Sequence, residues 1–201
     1  MKKIILAILL AVCSISGSWA QKILLDNIST IGGKDVRIVT TTSETFRSFS
    51  DVVVMSVCMM ATKPEGSEDI EYTMCVNLKS SLPISAPAAA RMLFKTFEEE
   101  NMAFAESANV EKEDHLGKLQ KAGNMTVKTF EIDLLYNLSR EDIEKLGNGI
   151  RKVRIETNGE KPYEKEWKKD KLGKFVKKGL KLIDDSFAGK FDKRDSFYDD
   201  F

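Results

Sequence analysis

Cys58 and Cys75 are the only cysteines beyond the first twenty residues, and their placement decides which thiol chemistry is open to them. They do not form a C-x-x-C pair, so the usual low-pKa redox arrangement is absent. They lie instead in two apolar stretches, "DVVVMSVCMMATK" and "IEYTMCVNL", separated by the turn-forming "PEGSED". A hairpin centred between Gly66 and Ser67 sets Met59 opposite Met74, Val57 opposite Val76, Met55 opposite Leu78, and Cys58 opposite Cys75. In an oxidising compartment the two thiols could close a disulfide. The alternative is two buried thiols that act as small hydrophobes.

Other reactive types are present without a constellation around them. His115, the single histidine, lies in the charged stretch "NVEKEDHLGKLQKAGN", away from other histidines and from Cys58 and Cys75, so no metal cluster is spelled out. No G-x-S-x-G elbow offers it a serine. Gly32-Gly33-Lys34 lacks the spaced first glycine and the Ser or Thr of a phosphate loop and reads as a turn. The acid runs Glu98-Glu99-Glu100 and Asp184-Asp185 leave a two-carboxylate hydrolase open. Asn27, Asn124 and Asn137 sit in N-x-S/T sequons, which matter only in a glycosylating host. No residue is assigned a catalytic, cofactor-binding or metal-binding role.

A surface for contact is the remaining possibility. "KEWKKDKLGKFVKKGLKLIDDSF" carries Leu172, Phe175, Val176, Leu180, Ile183 and Phe187 at three- and four-residue intervals, the stripe of an amphipathic helix. Lysines crowd the rest of it. Tyr163, Trp167, Lys168, Lys171, Lys174 and Lys178 are therefore the candidate contact residues, and the two aromatics also read as anchors for the start of the helix. Basic amphipathic helices lie on membranes as well as on sheets. Core cover is the expectation here, because a one-faced sheet needs a lid.

The elements that would carry these residues are mostly strands. "KDVRIVTTTSETFRSF", the two cysteine-bearing stretches, "MTVKTFEIDLLYNL" and "IRKVRIET" all have strand character. "RMLFKTFEEENMAFAESANV" reads as a hairpin over Met92 to Phe97 and Met102 to Ala105, with a helix from about Pro87 to Phe104 as the alternative. Residues 109 to 124 read as a charged excursion. "SREDIEKLGNG" is a short helix, capped by Ser139 with Asp142 and stopped at Gly147. The expected fold is α+β: an antiparallel, meander-like sheet of about six to seven strands, covered on one face by a long C-terminal amphipathic helix.

The ends and the composition set the compartment. Lys2 and Lys3, the apolar run Ile4 to Val12 and the close Ser18-Trp19-Ala20 follow the pattern of a secretory signal peptide with cleavage after Ala20. The run is shorter than the roughly 18 residues of a membrane span. Cys13 follows Val12, where a lipoprotein site carries a small residue, so lipidation at Cys13 is the minor alternative. One domain over residues 21 to 188 and a polar, aromatic tail over 189 to 201 are expected. Without Lys2 and Lys3 the 31 basic side chains become 29 against 31 acidic ones, a balance without the basic excess of nucleic-acid binders.

"LSREDIEKLGNGIRKVRIET" followed by "YEKEWKKDKLGKFVKKGLKLI" resembles small, uncharacterised exported proteins of Gram-negative gut bacteria. The likeness is closest over residues 139 to 183. It implies a sheet-rich body, a short helix leading into a basic strand and a lysine-rich last helix, and it carries no catalytic residues. The functional expectation is a non-enzymatic exported binding or envelope-associated domain, in the periplasm or outside the cell, with an envelope component as its partner and without nucleic acid or cofactor. A carboxylate-dependent hydrolase of envelope or dietary polymers, and a peripheral membrane protein using the basic helix, are the alternatives.

Overall fold

The computed structural model describes residues 21–47, 52–122, 125–159 and 162–190. Residues 1–20, expected as a signal peptide and including Cys13, the sequon at Asn124 and most of the tail lie outside the described residues. The described residues form mostly antiparallel sheet, with two helices among them. The strands are β1 (Ile23–Ile31), β2 (Lys34–Thr41), β3 (Glu44–Phe46), β4 (Val53–Pro64), β5 (Glu71–Ser80), β6 (Ile84–Ala86), β7 (Arg91–Thr96), β8 (Asn101–Ala105), β9 (Lys112–Asp114), β10 (Lys118–Ala122), β11 (Met125–Leu138), β12 (Ile150–Ile155) and β13 (Tyr163–Glu166). The helices are α1 (Arg140–Gly147) and α2 (Leu172–Phe187).

The large sheet runs β1-β2-β4-β5-β11-β10, with β3 also pairing β4, and a smaller one runs β13-β12-β7-β8. This corrects the expected simple meander. Prolines 83 and 87 follow β5, and proline cannot donate to a ladder, so the chain leaves the large sheet there. It builds β7 and β8, comes back as β10 and β11, and later adds β12 and β13 to the small sheet. Residues 109 to 124, expected as an excursion, supply β9 and β10. The hairpin reading of residues 92 to 105 holds over its helical alternative, with Met92 opposite Phe104 and Phe94 opposite Met102.

Local chemistry explains the register. Gly32 and Gly33 adopt φ of +62° and +80°, which a two-residue hairpin loop needs at both positions, and they join Ile31 directly to Lys34. The single strand expected from Lys34 onward is two. β2 pairs with the end of β4 and β3 with its start, and across the break the Thr41 Oγ1 accepts a hydrogen bond from Met59 N at 3.1 Å. β4 and β5 pair in the expected register, Cys58 against Cys75 included.

Alternation along β4, β5 and β11 sends Met55, Val57, Met59, Met74, Val76, Leu78, Ile132 and Leu134 into the main core, together with Met92 and Phe94 of β7 and Val153 and Ile155 of β12. Leu172, Phe175, Val176, Leu180 and Ile183 of α2 join the same cluster, each buried side chain contributing about 2 kcal/mol. The main neighbours of α2 are α1, β1, β2 and β4. On the opposite face of the large sheet Leu24, Ile38, Cys58, Met60 and Cys75 form a second, small buried cluster.

The capping box of α1 is present, with Ser139 Oγ accepting from Asp142 N at 3.1 Å and Ser139 N donating to Asp142 Oδ2 at 3.1 Å. The stop is not Gly147 but Asn148, followed by Gly149 at φ +129°. Gly147 is the last helical residue, pressed against Lys177.

Candidate functional site

The start of α2 is fixed before its lysines are presented. No side chain of Lys171 caps it. Asp170 does so from one residue earlier: its Oδ1 accepts from Gly173 N at 2.9 Å and from Ile150 N at 3.1 Å, tying the helix to the first residue of β12. A Cβ at Gly173 would lie 2.7 Å from Leu146 O, so only glycine lets α1 and α2 approach this closely. Trp167 packs edge-on against Phe46, ring centroids 5.7 Å apart, and Phe46 meets Phe175 at 6.0 Å.

Two of the candidate contact residues are therefore corrected. Tyr163 and Trp167 are both only 8% exposed, because β13 and the turn after it fold their rings onto the core, and their anchoring role is the one the structure supports. Lys168, Lys171, Lys174 and Lys178 are exposed. Lys171, Lys174, Lys178 and Lys181 recur at intervals of three and four and form one stripe along the outer side of α2. Among the described residues none of these four, nor Lys168, has a carboxylate within 4.0 Å.

Glu44 of β3, which sequence reasoning missed, borders this stripe. Partial burial raises its carboxyl above the ordinary value, against the attraction of Lys171 and Lys178. β3 pairs with the next strand, β4, and the packing of the distant α2 on this edge, with Phe175 against Phe46, sets Lys171 and Lys178 near Glu44, which no local pattern signals.

The far end of α2 is built differently. Arg37 of β2 donates from Nε and Nη2 to both oxygens of Asp26, at 2.8 Å each, and from Nη2 to Ser186 O at 2.9 Å. Ser186 Oγ donates to Asp26 as well. The Arg37 hydrogen bond, opposed by burial and aided by Ser186, lowers the Asp26 pKa. Arg37 also stacks over the ring of Phe187, 5.3 Å from its centroid. Ile28, Arg37, Lys63, Gly66 and Phe187 line a shallow groove of about 280 Å³ beside this cluster. One turn earlier, Arg140 grips Asp184 through two nitrogens and touches the Tyr72 hydroxyl at 3.1 Å. Sequence reasoning missed both arginine clusters, which join residues far apart in the chain.

The remaining candidates are placed as follows. Cys58 and Cys75 are buried thiols with no S–S bond between them in the structure. His115 is exposed, its Nε2 3.1 Å from Glu113. Among the acid runs, Glu99 is held by Lys95 and Arg151, and Asp184 by Arg140. Among the described residues no group of three or more His, Cys, Asp and Glu side chains is arranged to hold a metal. None of the described helices is long and apolar enough to cross a membrane.

Chemically, the site offers a row of exposed ammonium groups along one side of α2. Its apolar stripe is occupied by the core, with Leu172 at 1%, Val176 at 0% and Ile183 at 0% exposure. Comparison with protein-family models, with curated proteins and with solved structures finds no match to this chain.

Proposed function

We propose that the chain is a non-enzymatic exported binding domain, and that the lysine stripe of α2 is the surface with which it holds an acidic region of an envelope protein. In this reading α2 closes the sheet over β1, β2 and β4 and turns its charge outward. The observation that carries it is the stripe Lys171, Lys174, Lys178 and Lys181, which has no ion-pair partner among the described residues, on a helix whose start is held by Asp170, Gly173 and the buried aromatics. Clustered, exposed ammonium groups raise the local concentration of anionic partners and speed their docking. The signal-like first twenty residues and the resemblance to exported gut-bacterial proteins support the compartment.

The same stripe suits anionic lipid headgroups, but interfacial helices dip an apolar face into the bilayer, and here that face is committed to the core. Capture from envelope extract, run in parallel for the wild-type protein and Lys171→Gln/Lys174→Gln/Lys178→Gln, tests the reading. A protein partner held by the first and lost from the second supports it. Equal capture by both would refute it, as would retention on anionic vesicles with no protein partner recovered. Turnover of an envelope or dietary polymer would move the chain to the hydrolase class instead.

A further inference from the structure

Gln21 is a polar residue in an apolar seat. It is 8% exposed, and among the described residues neither its Oε1 nor its Nε2 has a hydrogen-bond partner. The side chain is wedged between α2 and β4: a Cβ on Gly179 would lie 2.8 Å from Nε2 and 2.9 Å from Met59 Cγ. The next residue is pinned to the sheet, with Lys22 N donating to Thr42 Oγ1 at 3.1 Å and Thr42 N donating to Lys22 O at 2.8 Å. A buried amide with neither donor nor acceptor satisfied is costly, and native structures rarely keep one without a chemical reason.

The position of this residue supplies the reason. Cleavage after Ala20 makes Gln21 the first residue of the mature chain, and an N-terminal glutamine has one reaction open to it that an internal one lacks. We propose that Gln21 is a modification site, cyclised to pyroglutamate, and that the lactam is the form seated between Gly179 and Met59. The proposal rests on the export reading above.

The α-amino nitrogen bonds to Cδ, the Cδ–Nε2 bond breaks, and Nε2 departs as ammonia with the proton released by the amine. No electrons are exchanged and no co-reactant is consumed. The product loses the two unsatisfied N–H donors of Nε2 and the terminal positive charge. It keeps one carbonyl and one N–H on a compact ring that suits an apolar seat. The seated ring also denies aminopeptidases a free amine at the strand that opens the sheet.

The test is the intact mass and the N-terminal peptide of the protein purified after export by the cell that makes it. The expected N-terminal peptide begins at residue 21 and is lighter by one ammonia than its glutamine form. A peptide that begins at Gln21 with the amide intact overturns the cyclisation and leaves the export reading standing. A mature chain beginning elsewhere overturns both. A second measurement compares heat-unfolding midpoints of the cyclised chain and of a chain with an open N-terminal glutamine. The cyclised form is expected to unfold at the higher temperature, and an equal or lower midpoint would overturn the lactam as the seated form.

Discussion

Two regions of this molecule are rich in basic side chains, and they handle charge in opposite ways. On the outer side of the small sheet Arg91 pairs with Glu156, Lys95 with Glu99, Arg151 with Glu99 and Glu166, and Lys152 and Arg154 with Glu164. On the outer side of α2 the stripe from Lys171 to Lys181 has no such partners among the described residues. Local composition does not separate the two, since "IRKVRIET" and "KFVKKGLK" are both basic. What separates them is the strand opposite: β13 places Glu164 directly across from Arg154, while no described element brings an acid within ion-pair distance of the α2 stripe. Basic sequence becomes structural when the fold supplies acids within reach, and becomes a field for partners when it does not.

The largest effect should come from erasing the unpaired side of this contrast. Lys171→Gln/Lys174→Gln/Lys178→Gln is expected to weaken binding to an acidic partner about a hundredfold, from about 1 kcal/mol per lysine near an anionic surface. Titration at two salt concentrations reads this, because the wild-type affinity falls with added salt and that of the variant falls less. Neutralising Arg151, Lys152 and Arg154 instead should leave the affinity nearly unchanged. Equal losses from both sets would erase the distinction between the two regions.

The joint between the two regions comes next. Gly173→Ala forces a Cβ to within 2.7 Å of Leu146 O, and overpacking of this kind costs about 1–3 kcal/mol. Asp170→Ala strips the cap from α2 and the acceptor from Ile150 N, at about 1–2 kcal/mol. Both should lower the unfolding midpoint while leaving the lysine stripe chemically intact. Loss of partner binding in step with loss of stability would show that the stripe acts only when the helix start is fixed.

The sequence made some of this legible and hid the rest, for physical reasons. The β4–β5 register could be read because alternation on both strands matches in only one alignment. The capping box of α1 is equally local, spanning Ser139 to Asp142. The burial of α2's stripe follows from its helical period. β1 was not anticipated, because Asp26, Asn27 and Ser29 dilute its strand character and only the Gly32-Gly33 turn and β2 hold it. Tyr163 and Trp167 read from the sequence both as contact residues and as anchors, and what decides for the anchor is a contact distant in the chain, the packing of Trp167 on Phe46. Arg37 with Ser186, and Arg140 with Asp184 and Tyr72, are long-range encounters that no spacing rule encodes, whereas Arg37 meets Asp26 across the β1–β2 hairpin.

The smallest effect concerns the paired region and tests the contrast from its other side. Glu164 accepts from both Lys152 and Arg154, and the Lys152 hydrogen bond, opposed by burial and aided by Arg154, holds its carboxyl below the ordinary 4.5. An acid whose folded pKa is depressed stabilises the fold above its unfolded pKa and loses that contribution as pH falls through the folded one. Glu164→Gln should therefore destabilise the protein by about 0.2–1 kcal/mol at neutral pH, the range of partly exposed ion pairs. The difference between variant and wild type should close below pH 4.5, which chemical unfolding at a series of pH values would follow. The substitution also leaves Lys152 and Arg154 without their carboxylate, creating a second unpaired basic patch. If unpaired charge alone makes a binding surface, this variant should hold the acidic partner slightly more tightly than wild type. If the regular stripe along a rigid helix is what matters, its affinity should stay at the wild-type value while its stability falls.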